Sequence, residues 1–165
     1  TSLANGSNMN FAITTSSLLD GLSVGVGMGE TEYDDSTIVG REDGSSVVGF
    51  ANYTMGSITA GVTLSESSNT RSATATADNQ GGRQVEAFGV SMAINENLSI
   101  SYNQHNMTYT KDGAGPDVEQ ESTGIAVAYT MGGATLAIQN NSMDNVTGTA
   151  GTNDEITEVS LSMAF

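Results

Sequence analysis

Apolar and polar residues alternate with a period of two along most of this chain. The final segment shows it most cleanly: Val159, Leu161, Met163 and Phe165 fall on one face, Ser160, Ser162 and Ala164 on the other. Such a pattern predicts a strand with one apolar face. The same alternation sets Leu22, Val24, Val26 and Met28 against Ser23, Gly25 and Gly27, and Ile58, Ala60, Val62 and Leu64 against Thr59, Gly61 and Thr63. It returns in Phe88, Val90, Met92 and Ile94, in Leu98, Ile100 and Tyr102, and in Ile125, Val127, Tyr129 and Met131. Nine strands are predicted, near 9–16, 22–30, 46–55, 57–65, 85–94, 98–109, 121–131, 134–142 and 156–165.

The connections between these strands alternate in length. Leu19-Asp20-Gly21, Met55-Gly56-Ser57, Asn95-Glu96-Asn97 and Met131-Gly132-Gly133 are tight and made of turn-forming residues. Between them run four long polar stretches, near 31–46, 65–84, 108–121 and 142–155. Counted from Glu30, these hold 15 of the 19 acidic residues and all four basic ones, Arg41, Arg71, Arg83 and Lys111. Charge is therefore gathered at one end of the strand array. Tight turns at one rim and long loops at the other are how an outer-membrane barrel distinguishes its periplasmic from its extracellular side.

Composition narrows the choice. The 165 residues suit a single domain over 1–165, with residues 1–21 as either a first strand or a segment outside the wall. There are 20 Gly, one Pro and no Cys, which favours short strands and removes thiolate metal sites and cysteine nucleophiles. A formal charge of −15 repels phosphate backbones, so no nucleic-acid partner is expected. No stretch approaches the ~20 apolar residues of a membrane helix, and Thr1 to Gly6 has neither the basic nor the apolar region of a signal peptide. Neither point bears against a transmembrane barrel, in which lipid-facing and lumen-facing residues alternate.

The expected fold is thus all-β, an antiparallel up-and-down transmembrane β-barrel of which about nine strands are present. Bacterial single-chain barrels use an even number of strands. Nine therefore points to part of a larger, 16-stranded wall, or, if residues 1–21 lie outside it, to eight strands that close alone. The part is favoured, because the inward positions are rich in Gly, Ala and Ser and lack the interlocking charged side chains that would fill a narrow barrel.

Two stretches carry a family resemblance. Glu158-Val159-Ser160-Leu161-Ser162-Met163-Ala164-Phe165 resembles the closing strand of outer-membrane proteins, with a terminal aromatic and apolar residues at alternate preceding positions. The run from Gly124 to Leu136, a strand, a tight turn and a returning strand, together with that terminus resembles the C-terminal portion of Gram-negative general porins of the alphaproteobacterial type. The resemblance implies a trimeric, water-filled channel in the cell outer membrane, in contact with lipid and lipopolysaccharide. It also implies that Val159, Leu161, Met163 and Phe165 form the signal read by the barrel assembly machinery. The chain departs from that family in being about half the expected length, and it shows no obvious constriction loop or cluster of lumen arginines.

Candidate chemistry is sparse. Gly25-Val26-Gly27-Met28-Gly29 lacks the spacing of a dinucleotide fingerprint and reads as small residues along a strand face. His105 is the only histidine, so a histidine triad or multi-histidine metal site is not indicated. Asp34, Asp35, Glu42 and Asp43, and separately Asp112, Asp117, Glu119 and Glu121, offer hard oxygen ligands for loosely bound Ca²⁺, against the plainer reading of solvated charge. No other cofactor is indicated. By alternation Ser99, Ser101, Asn103, His105, Ala126, Glu158, Ser160 and Ser162 face a lumen, while Ile58, Val62, Phe88, Val90, Met92, Ile125, Val127, Leu161 and Met163 face lipid or a neighbouring subunit.

The function expected is passive diffusion of small hydrophilic solutes with modest cation preference, and no enzymatic activity. The alternatives are a small closed outer-membrane barrel, or a secreted all-β surface or fibre subunit with an adhesive or structural role.

Overall fold

The computed structural model describes residues 6–33, 43–68, 82–110 and 116–164. They form nine strands: β1 (Gly6–Thr15), β2 (Leu22–Tyr33), β3 (Gly44–Met55), β4 (Ile58–Ser68), β5 (Gly82–Ala93), β6 (Leu98–Thr110), β7 (Val118–Met131), β8 (Ala134–Asp144) and β9 (Asp154–Met163). All nine lie in one sheet in chain order, and each neighbouring pair is antiparallel. The molecule is an all-β up-and-down meander. One 3₁₀ turn, Val146–Gly148, is the only helical piece among the described residues.

Tight turns fall where the sequence puts them. Gly56 and Gly132 have φ of +60° and +61° at the first central position of two-residue hairpins, the geometry that follows the right-handed strand twist. In the turn between β5 and β6, Asn95 accepts hydrogen bonds at its Oδ1 from the amides of Asn97 and Leu98, both at 2.9 Å. At the other end the strands outrun the alternation: β2 continues to Tyr33, β4 to Ser68, and β7 begins at Val118. The ladder is made by main-chain groups, so pairing persists where side chains turn polar.

Directly paired residues of an antiparallel ladder share a face, so the register carries one face across the whole sheet. Phe11, Met28, Val47, Val62, Phe88, Tyr102, Ile125, Ile138 and Val159 fall on one side; Asn52, Gly61, Gly89, Asn103, Gly124 and Asn141 fall on the other. Burial runs opposite to that of a soluble domain. In β4, Ile58, Ala60, Val62 and Leu64 are exposed, and Thr59, Gly61, Thr63 and Ser65 are half-buried. Among the described residues Tyr109 is the only buried apolar side chain, and none is fully buried. A hollow of about 590 Å³ is lined from β3 through β8, by Asn52, Thr63, Gly89, His105, Gly124 and Gln139 among others. Six strands reach one hollow only if the sheet curls around it, so the polar face is concave and the apolar face convex.

The upper edge of the apolar zone on the convex face does not follow the hydrogen-bond rows. The apolar residue nearest the long connections is Met9 on β1, Met28 on β2, Val47 on β3, Leu64 on β4, Phe88 on β5, Tyr102 on β6, Ile125 on β7, Ile138 on β8 and Val159 on β9. Met9 pairs with Glu30, Val47 with Glu66, Leu64 with Glu86, Phe88 with Gln104 and Ile125 with Asn140, each two residues beyond the apolar edge of its own strand. Met28 pairs with Val47, Tyr102 with Ile125 and Ile138 with Val159, with no offset. Five two-residue drops in eight steps, all toward the tight turns, lower the edge by 1.25 residues per strand. With ~3.3 Å per residue and ~4.8 Å between strands, the edge slants by about 40° to the hydrogen-bond direction.

Candidate functional site

The site is the concave face. One hydrogen-bonded row crosses it: Asn52 on β3, Gly61 on β4, Gly89 on β5, Asn103 on β6, Gly124 on β7 and Asn141 on β8. Asparagine carboxamides lie over the neighbouring glycines. A Cβ at Gly124 would collide with the Oδ1 of Asn103 and lie 2.7 Å from that of Asn141. Glycine is thus required there by close approach. Above and below the row stand His105 and Ser101, and Gln139, all lining the hollow.

The centre of the concave face differs from the convex face in how its polar groups are satisfied, whereas nearer its ends concave pairs such as Thr54–Thr59 and Thr130–Thr135 are bonded. On the convex face, just beyond the apolar edge, the Tyr102 hydroxyl donates to Gln104 Oε1 (3.3 Å) and Gln104 Nε2 donates to Asn106 Oδ1 (3.2 Å). The Thr123 and Ser142 hydroxyls are 2.8 Å apart, and Asn140 Nδ2 donates to Glu155 and Thr157, each at 2.9 Å. At the centre of the concave face, among the described residues, the side chains of Asn52, Asn103, Gln139 and Asn141 make no hydrogen bond to protein. Their donors and acceptors are presented to whatever fills the hollow.

No protein-family model and no curated protein matches this chain.

At the long-connection end, the segment between β8 and β9 bends over the concave face. Asn145, with φ of +54°, donates from Nδ2 to the Glu119 carbonyl (2.8 Å) and accepts at Oδ1 from the Gly151 amide (2.9 Å). The Thr147 amide donates to Gln120 Oε1 at 2.8 Å, and the Tyr109 hydroxyl donates to the same oxygen at 3.4 Å. Gly148, at φ of +72°, lies on the Tyr109 ring, where a Cβ would come within 2.8 Å of ring carbons. Arg83, paired with Tyr109, stacks its guanidinium 5.5 Å from the same ring. Arg83 is the only Lys or Arg among the described residues.

The residues singled out from sequence are distributed as follows. Ser101, Asn103 and His105 line the hollow, and Ser99 is on the same face near the turn. Glu158, Ser160 and Ser162 share that face through their partners Gln139, Ala137 and Thr135, though β9 as an edge strand is exposed along its length. Val159, Leu161 and Met163 lie on the convex face, 63%, 62% and 56% exposed. Phe165 lies outside the described residues, as do the carboxylates Asp34, Asp35, Glu42 and Asp112. Glu119 and Glu121 are exposed on the convex face, paired with Thr108 and Asn106. Asp43 and Asp117 flank β3 and β7. Among the described residues no three metal-ligating side chains come together.

Sequence reasoning passed over Tyr109, Gln120, Asn145 and Gly148. Their signal is faint: an Asn-x-x-Gly turn in a loop free of charge from Asn145 to Asn153, and two strand residues that pair into no apolar stripe.

Proposed function

We propose that this chain is the C-terminal portion of an outer-membrane general porin, passing small hydrophilic solutes by diffusion through a water-filled lumen on its concave face. The slanted edge of the apolar zone carries the reading. A flat bilayer needs a level apolar boundary, and the ~40° slant becomes level when the strands tilt by that amount, within the range of transmembrane barrels. A soluble two-sheet protein has no reason for such a slant, since its apolar face meets another sheet instead of a plane. Strands of 10 to 14 residues match the ~9–11 needed to cross a bilayer at that tilt. Bonded polar groups beyond the edge suit the headgroup region, and unpartnered carboxamides suit a wet interior.

Both edges agree with a larger wall. β1 and β9 run the same way, from the long connections to the tight turns, so an all-antiparallel closure needs an odd number of further strands. Seven would give sixteen. In this reading the convex face meets lipid, lipopolysaccharide and the neighbouring copies of a homotrimer in a Gram-negative outer membrane. Residues Val159 to Phe165 serve the assembly machinery, Ca²⁺ is at most loosely held by the rim carboxylates, and no bond is made or broken in a substrate.

Detergent dependence and conductance test this. The chain should aggregate from plain buffer and remain monodisperse in detergent, and the full-length protein should conduct in planar bilayers. A monodisperse species in buffer alone would replace the porin with the secreted all-β subunit.

A further inference from the structure

We infer that the loop between β8 and β9, residues 145–153, is a fixed strap that narrows the mouth of the passage, and that Gln120 is its latch. The inference rests on the pore reading for the word passage, but the fastening is independent of it. Gln120 and Tyr109, at 7% and 9% exposure, are the only buried polar and the only buried apolar side chain among the described residues. Among the described residues, the two most buried large side chains thus lie where a loop meets the concave face.

The strap is stiff within itself. The Val146 amide donates to the Thr152 carbonyl (2.9 Å), Gly148 to Asn145 (2.9 Å) and Thr149 to Val146 (3.2 Å). The Thr152 hydroxyl donates to the carbonyls of Thr149 (2.7 Å) and Val146 (3.2 Å). These bonds hold a closed ring that, among the described residues, fastens to the wall at Glu119, Gln120 and Tyr109. Register places Gln120 opposite Met107, on the face of His105 and Asn103. The ring therefore lies on the concave side of the sheet, at its long-connection end, and not on the convex face. Asn145 to Asn153 carry no charge, so the lip acts by size, with Arg83 held beside it on Tyr109.

The test uses the full-length protein in lipid, with Gln120→Leu and Gly148→Val as separate variants. Amide exchange at Thr147 should be slow in the parent and about two- to tenfold faster in each variant, the loss of one net hydrogen bond, while Val127 stays unchanged as a control for folding. Conductance should rise in both variants, and larger neutral polymers should enter. A Thr147 amide that exchanges freely in the parent overturns the fastening. Exchange that accelerates with unaltered conductance and polymer cut-off overturns the constriction. A parent that does not conduct overturns the pore, and the narrowing with it; slow Thr147 exchange would then leave only the fastening standing.

Discussion

At the residue scale, the concave face is kept open by glycines that are roofed by their neighbours' amides. Gly124 shows the constraint best, because a side chain there must displace both Asn103 and Asn141. Gly124→Val is expected to destabilise the folded protein by about 1–3 kcal/mol, the usual cost of overpacking. Adding Asn103→Gly should recover part of that loss, since the two changes share one space. Urea unfolding in vesicles measures both, and purely additive losses would show that the carboxamides do not crowd the glycine. The sequence displays Gly124 and Asn103 as members of one alternating face. Their pairing through Asn103↔Gly124↔Asn141 depends on strand register, which period-two alternation leaves undetermined.

At the element scale, each strand separates an apolar from a polar face, and adjacent residues of β7 should respond oppositely to the same substitution. Arginine in place of Val127, on the convex face, is expected to cost roughly 2–4 kcal/mol where the strand crosses the hydrocarbon midplane. Arginine in place of Ala126, which pairs with Ser101 and Gln139 beside the hollow, should cost less than about 0.5 kcal/mol. Equal costs in a vesicle unfolding titration would remove the lipid-facing assignment. For β2 to β9, existence, order and tight-turn ends were legible to within a residue or two because alternation and turn-forming residues coincide; β1 was left open, since residues 1–21 read equally as a segment outside the wall. Their long-connection ends were not, because Glu32, Glu66 and Glu119 resemble loop residues while still pairing in the ladder. The strap was illegible for a different reason: a neutral loop docks through main-chain amides and one glutamine, and these leave no pattern. β9 is an exposed edge with Val159, Leu161 and Met163 on the convex face, and the proposed porin reading makes assembly the step to test there. Deleting Phe165 should reduce the yield of folded protein in membranes while the surviving molecules conduct normally; an unchanged yield would take the assembly role away from this terminus.

At the scale of the whole molecule, charge is unevenly divided between the faces, and this decides which acids steer ions. The sequence places 15 of 19 acidic residues toward the long connections, which by itself suggests a strongly negative mouth. Register puts many of them on the convex face: Glu30, Glu66, Glu119, Glu121 and Glu155 sit there, with Ser45, Gln84, Thr108, Asn106 and Ser142 as partners, and so does Glu86 within β5, opposite Leu64. Asp154 and Glu158 are on the concave side, opposite Met143 and Gln139. At physiological ionic strength the field of a solvated charge is screened over ~8 Å, so on the proposed pore reading convex carboxylates would act on lipid headgroups and ions outside the wall, whereas Glu158 would act on ions within it. Cation preference should therefore be modest, fall further on Glu158→Gln, and hardly change on Glu86→Gln. Near 1 M salt, where screening shortens to ~3 Å, parent and variants should converge. Reversal potentials across a salt gradient read this directly, with the Glu86 variant as the internal control. If Glu86→Gln removed the preference and Glu158→Gln left it intact, the concave face would not be the one that ions pass.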